Sequence, residues 1–240
     1  KIKVEYDFYS SMITKVVDPG YVLESIVWLS KGSPTVYNAV YSNFIDYIKN
    51  LTGSAVTDEQ FYSALLSECA KLSGMMELAA GTKMQELRKR LADRLAKKGF
   101  SVELAQLNPI LDCTENIYAL ADHTKCIAFM LGDGIVPSNV RSGYLARLVI
   151  RKTLRLIEEM ALSEKITDIV AKQIECMKDF PELKENSDTI MKILEVEMKK
   201  YHEVVERGTK IVARALETSK EITTPMLVDL YDTHGIHPTL

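Results

Sequence analysis

The chain has 240 residues, 47% of them hydrophobic and 26% charged, an ordinary globular balance that excludes extensive disorder and leaves room for more than one core. A formal net charge of −3 excludes a generally sticky polyanion binder, so any nucleic-acid role has to be local and shaped. No run approaches the roughly 18 apolar residues of a membrane span, which excludes a membrane helix. Lys1-Ile-Lys-Val-Glu leads into no signal-peptide core, and Cys69, Cys113, Cys126 and Cys176 lie far apart with no CxxC and no His at zinc spacing. A cytoplasmic, reducing location and no structural metal are expected.

In chain order, Val4 to Val17 mixes β-branched residues with Tyr6, Phe8 and Tyr9 in near alternation and is the only convincing strand material. One or two strands with no sheet to join read as a piece of a larger protein. Pro19-Gly20 precedes a helix from about Tyr21 to Ser30, broken by Gly32-Ser33-Pro34. Ser33 and Pro34 are the expected cap and first-turn pair of a second helix through Tyr37, Tyr41, Ile45 and Ile48. Thr57-Asp58-Glu59-Gln60 supplies a cap and acidic first turn for a helix to about Leu72, and Met84 to Lys98 forms another that Gly99 ends. Asn108-Pro109 is expected to interrupt the next apolar stretch, leaving a helix from Ile110 to Met130. Pro137 ends whatever helix precedes it, and Ser138 or Asn139 can cap the next one. Glu182 to Leu216 carries apolar residues at helical spacing with Gly208 as a weak point, and Thr223-Thr224-Pro225 starts a last helix that Thr233-His234-Gly235 ends.

Arg147, Arg151 and Arg155 recur every four residues and so share one helical face. From Arg141 to Arg155 five basic residues occur with none negative, which suits an anionic partner, an ordinary solvated face or internal ion pairs. An Asn beside such a ridge fits nucleic acid, since an amide reads a base edge while guanidinium groups hold phosphates. The second basic run, Lys83, Arg88, Lys89, Arg90, Arg94, Lys97 and Lys98, is diluted by Glu86 and Asp93 and reads as a solvated face, unless it shares one side of a bundle with the first. Asp122-His123 invites an acid–base reading that Arg147 could complete, but a cap or satisfied buried contact is the plainer assignment. His234 and His237 read as a turn, Gly132 and Gly134 as a tight helix exit, and Trp28, Tyr37, Tyr41 and Tyr47 as core packing. No catalytic residue is assigned.

The long element Asp122-His-Thr-Lys-Cys-Ile-Ala-Phe-Met-Leu-Gly-Asp-Gly-Ile-Val-Pro-Ser-Asn139, followed by Gly143-Tyr-Leu-Ala-Arg-Leu-Val-Ile-Arg151, is similar to archaeal-type alanyl-tRNA synthetases. Tyr21 to Trp28 and Lys31-Gly-Ser-Pro-Thr-Val-Tyr37 resemble the end of that family's class II catalytic domain, and Leu230-Tyr-Asp-Thr-His-Gly-Ile236 the end of its helical domain. The resemblance implies a mostly α fold. Residues 1–32 would be a strand-containing remnant of the class II catalytic domain, and residues 33–240 a helical domain recognising the tRNA acceptor stem. It also implies that Asn139 helps recognise the G·U pair of alanine tRNA while Arg141, Arg147, Arg151 and Arg155 hold the stem. The implied partners are the alanine tRNA acceptor stem and a catalytic synthetase segment or subunit, with no DNA and no membrane.

Two departures from the family pattern matter. The family's late carboxylate has no counterpart in Lys210-Ile-Val-Ala-Arg-Ala-Leu216. Its ATP-contacting motif, Gly-x-Gly-x-Glu-Arg, reads here Gly20-Tyr-Val-Leu-Glu-Ser25, which puts Val22 at the second Gly and Ser25 at the Arg. Of that motif Gly20 and Glu24 remain, and the polyphosphate loses a charge-assisted clamp. ATP and magnesium are accordingly implied for the parent enzyme and no cofactor for this chain, which is expected not to charge tRNA by itself. The alternative is a divergent helical protein-interaction module or a synthetase paralogue without aminoacylation activity.

Overall fold

The computed structural model describes residues 2–4, 8–10, 22–53, 58–73, 82–219, 224 and 228. Two short strands, β1 (Ile2–Val4) and β2 (Phe8–Ser10), pair antiparallel with Lys3 opposite Tyr9. Everything else described is helical or connecting, so the fold is mostly α.

Helix α1 (Leu23–Lys31) ends at Gly32, whose left-handed φ of 61° lets its N–H close on the Trp28 carbonyl at 3.0 Å. The second helix is not capped by Ser33. Thr35 caps α2 (Val36–Val40), its Oγ1 accepting from the Asn38 N–H at 3.2 Å, while the Ser33 carbonyl accepts from Trp28 Nε1 at 2.6 Å. The helix is also not continuous, because Tyr41 leaves helical geometry before α3 (Ser42–Thr52) begins. Asp58 caps α4 (Glu59–Ser73), accepting from the Phe61 N–H at 2.9 Å. After α5 (Thr82–Ala96), Gly99 turns the chain with φ 91°.

Pro109 does not interrupt α6, which runs unbroken from Leu104 to Gly132. Sitting within the second turn, it removes only the bond that would reach the Ala105 carbonyl, and burial of Leu107 and Leu111 around it offsets that loss. At 29 residues the helix serves as a spine for two separate cores. Its first part packs Leu107 and Leu111 with Leu65, Leu91 and Leu95 of α4 and α5. Its second part packs Ile117, Leu120, Ile127 and Leu131 against α3 and the helices that follow. The exit is made by Gly134 rather than Pro137: with φ 82° it donates to Leu131 O at 3.0 Å, and Ile135 N–H donates to Met130 O at 2.9 Å.

The rest of the larger core comes from α7 (Arg141–Glu159), α8 (Ile166–Cys176), α9 (Pro181–Glu185) and α10 (Ser187–Ser219). Helix α10 passes through Gly208 without a break, since a buried glycine inside a helix of this length loses propensity but keeps its backbone bonds. Of the last helix expected from Thr223 onward only Thr224 and Val228 are described, both helical; the rest of it, and His234 and His237, lie outside the described residues. Among the described residues no helix is long and apolar enough to cross a membrane.

Candidate nucleic-acid interface

The segment from Gly134 to Val140 returns over the start of α7 and is seated there by a glycine. Ser138 N–H donates to the Gly143 carbonyl at 2.9 Å, and a Cβ on residue 143 would collide with Ser138 Oγ and come within 2.5 Å of the Val136 carbonyl. Neither Ser138 nor Asn139 caps the helix. Val140 is the cap residue and offers no side-chain bond, while Ser138 Oγ turns back to the Val140 carbonyl at 3.1 Å. At the positive end of α7 the Val140 N–H donates to Ser138 Oγ at 3.4 Å, and the cap residue itself supplies no side-chain acceptor. Arg141, its first residue, is held at φ 51°, a left-handed conformation that a side chain adopts at a cost. Asn139, Val140, Arg141, Tyr144 and Leu145 are all exposed around this turn.

The three arginines at four-residue spacing do share a face, and that face borders α10. Arg147 donates from Nε to Glu197 Oε1 at 2.8 Å and from Nη2 to Oε2 at 3.3 Å, a two-point grip on a carboxylate that is 2% exposed. Arg151 Nε reaches the same Oε1 at 3.3 Å, and Arg155 lies close enough to act on Tyr201, whose phenol burial and the Glu158 carboxylate push up to about 12. Arg147 therefore braces the interior. Its remaining contacts run outward to the loop: Nη2 donates to the Pro137 carbonyl at 3.3 Å and Nη1 to Asn139 Oδ1. Among the described residues Arg141, Lys152 and Arg155 make no ion pair, and Arg141 and Lys152 are exposed.

Glu197 escaped the sequence reading, although a signal was present. It occupies a core position on α10 in the series Ile190, Leu194, Glu197, Tyr201, all buried. A lone carboxylate on an apolar stripe requires a cation from a facing element. At 2% exposure it is closed to a base edge.

The second basic run does not join the first into a track, because acids absorb most of it. Arg88 pairs with Asp112 at 2.5 Å, Arg90 with Glu86 at 2.5 Å, and Arg94 and Lys98 reach the buried Glu68 at 2.6 and 2.8 Å.

The Asp122-His123 pair also resolves structurally. Asp122 accepts from the Tyr41 hydroxyl at 2.8 Å and the Tyr37 hydroxyl at 3.5 Å, and Tyr37 stacks on Tyr118 with ring centres 4.5 Å apart. Among the described residues the buried His123 Nδ1 has no hydrogen-bond partner; burial first, then the Lys152 charge, hold its pKa below the usual value. Arg147 is committed to Glu197 and does not complete this cluster. Both residues line a cleft of about 550 Å³ beside α1, which Glu24 and Ser25 also border. There Glu24 accepts from Lys125 at 3.5 Å, while Gly20 lies outside the described residues.

A family model described as tRNA synthetases class II (A) matches residues 4–240. The chain is similar to the alanine–tRNA ligase of Methanococcoides burtonii, 40% identical over 244 residues that cover 100% of this chain and 26% of that protein. It is 44% identical to the alanine–tRNA ligase of Methanococcus aeolicus over 237 residues, covering 98% and 25%, and 38% identical to that of Methanosarcina mazei over 244 residues, covering 100% and 26%. The chain spans about a quarter of the length of these relatives.

Proposed function

Because this chain belongs to the class II (A) tRNA synthetases, we propose that residues 33–240 form a module that recognises the acceptor stem of alanine tRNA, and that residues 1–32 are the end of a class II catalytic domain. The parent reaction is the ATP-dependent attachment of alanine to tRNA in the cytoplasm. This chain's share is positioning: it holds the stem so that the terminal adenosine reaches a catalytic site formed by other synthetase residues. The observation that carries the reading is the placement of Asn139, exposed on a seated loop at the uncapped start of α7 and next to Arg141. Asn139 is the base-reading residue. Arg141, Arg151 and Arg155 hold phosphates, and Arg147 acts from beneath.

The cleft beside α1 does not fit a nucleoside triphosphate with its metal. Ser25 brings no cation, Lys125 is turned to Glu24, and among the described residues no cluster of three His, Cys, Asp or Glu side chains exists. No step of aminoacylation is assigned to this chain.

The alternative is a protein-interaction module, and one observation favours it. Val22, Leu23, Ile26 and Leu29 leave an apolar stripe of α1 exposed. The two readings separate in one experiment: anisotropy titration of the chain with alanine tRNA and with a variant carrying G·C in place of the acceptor-stem G·U. Preference for G·U with micromolar-scale affinity supports the module; equal binding or none removes it.

A further inference from the structure

The amide of Asn139 has a determined orientation. A guanidinium has five N–H donors and no acceptor, so the oxygen of Asn139 must face Arg147 and the NH₂ must face away from it. Four of the five Arg147 donors are then accounted for by Asn139, the Pro137 carbonyl and the two oxygens of Glu197. Arg147 can hold this pose only because something anchors its far side. The anchor is Glu197, fixed in the α10 face between Leu194 and Tyr201 and 2% exposed. An exposed asparagine tied to a mobile surface arginine would sample both amide orientations, whereas one tied to a buried bidentate pair does not.

Resting on the acceptor-stem reading above, we propose that Glu197 is a positioning residue: through Arg147 it locks Asn139 with its carbonyl inward, so that this side chain meets RNA as a hydrogen-bond donor only. Every pair offers such a donor an acceptor, so what it selects is where that acceptor lies, which the wobble shift of a G·U pair changes relative to G·C. In the accessible minor groove of A-form RNA the acceptors are purine N3 and pyrimidine O2 atoms, together with ribose hydroxyl oxygens. Glu197 touches no RNA and contributes no phosphate contact. Its effect is on which base pair is preferred, not on how tightly any stem is held. The same arrangement explains why a carboxylate sits beneath a face otherwise suited to anions.

Three variants and an Asn139→Ala background test this. Asn139→Asp keeps an acceptor for Arg147, with a stronger charge-assisted bond, but has no donor to present. It should fold normally and lose the G·U preference by roughly tenfold or more, the scale of one good base contact. Glu197→Gln removes the anchoring charge, and Arg147→Lys keeps the charge but replaces the fork with a single ammonium that cannot span Glu197 and Asn139 together. Both should lower the G·U over G·C ratio while binding of the G·C stem stays the same or tightens. In an Asn139→Ala background neither should lower the ratio further, because the effect runs through Asn139. A direct readout needs no RNA: the Asn139 side-chain amide should be ordered by ¹⁵N relaxation in the wild type and mobile in Arg147→Lys. Failure of the wild type to bind alanine tRNA overturns the acceptor-stem reading and this proposal with it. Binding in which Asn139→Ala loses the preference but Glu197→Gln and Arg147→Lys retain it overturns the proposal alone. So does a further drop in the Asn139→Ala background, or an amide equally mobile in wild type and variant.

Discussion

Ser138 and Gly143 are locked together, the Ser138 N–H donating to the Gly143 carbonyl at 2.9 Å while its side chain fills the space a Cβ on residue 143 would need. The backbone carbonyl of Val136, 2.5 Å from that position, cannot swing aside as a side-chain tip could. Gly143→Ala should therefore displace the loop and cost about 1–3 kcal/mol, the range of overpacking in a tight site. Thermal denaturation checks the cost. A variant as stable as wild type would show that the loop is not seated on α7.

Arg141 sits at φ 51°, where glycine is at ease and other residues are strained. Inside ordinary helix, glycine is less stable than alanine by about 1 kcal/mol; at position 141 the order should reverse, with Arg141→Gly more stable than Arg141→Ala by about 1 kcal/mol. Paired denaturant melts measure the difference. The usual order would mean that this turn relaxes in solution.

The cations of α7 divide into two kinds, and salt dependence should separate them. Among the described residues Arg141 and Lys152 are exposed and make no ion pair, so alanine at either should make the log–log salt slope of tRNA binding shallower by about 1 with little change in stability. Arg147→Ala should instead destabilise the protein by about 2–3 kcal/mol, since among the described residues it leaves a buried carboxylate with Arg151 as its only partner. Fluorescence anisotropy at several salt concentrations, with melts of the same variants, distinguishes the two behaviours. A large change in salt slope and no loss of stability for Arg147→Ala would contradict the bracing role.

Glu68 links stability to acid pH. Bonds from Lys71, Lys98 and Arg94 hold its carboxyl down to about 2 against an ordinary value of 4.5, more than offsetting the effect of burial. A depressed folded-state pKa contributes stability that is fully present above about 4.5 and lost as pH falls through about 2. Wild type should therefore lose stability across that interval more steeply than Glu68→Gln, which cannot titrate there. Parallel curves in urea melts between pH 5 and roughly 2 would remove Glu68 as the cause.

Alanine-dependent ATP–pyrophosphate exchange should be absent from the purified chain and should not be restored by Ser25→Arg. One guanidinium on α1 does not create an aminoacyl and nucleotide pocket in a cleft where Val36, Val40, Phe129 and Val149 stand beside Asp122 and His123 and where Lys125 is turned to Glu24. Robust exchange by the chain alone would refute this expectation.

Much of the helical plan was legible locally. Gly32 and Gly99 end helices because they adopt left-handed geometry, and Asp58 caps α4 because its side chain competes for a first-turn N–H. Local rules failed where a distant partner decided the outcome. Pro109 reads as a break, yet packing on α4 and α5 carries the helix through it. Ser138 reads as a cap, yet its N–H goes to the Gly143 carbonyl and its side chain bonds Val140 instead of a first-turn N–H of α7.

The candidate site divides the same way. The sequence by itself determined that Asn139 stands at the head of an arginine-bearing helix, because four-residue spacing assigns a face without knowing what lies opposite. It could not determine which of those arginines meet solvent. That depended on docking α10 against α7, which brings Glu197 to Arg147 across 50 residues of chain. Apolar packing around Ile190, Leu194 and Tyr201 drives that docking, and the charge pairing follows it. Only the folded molecule therefore fixed which cations are spent inside and which remain for a partner.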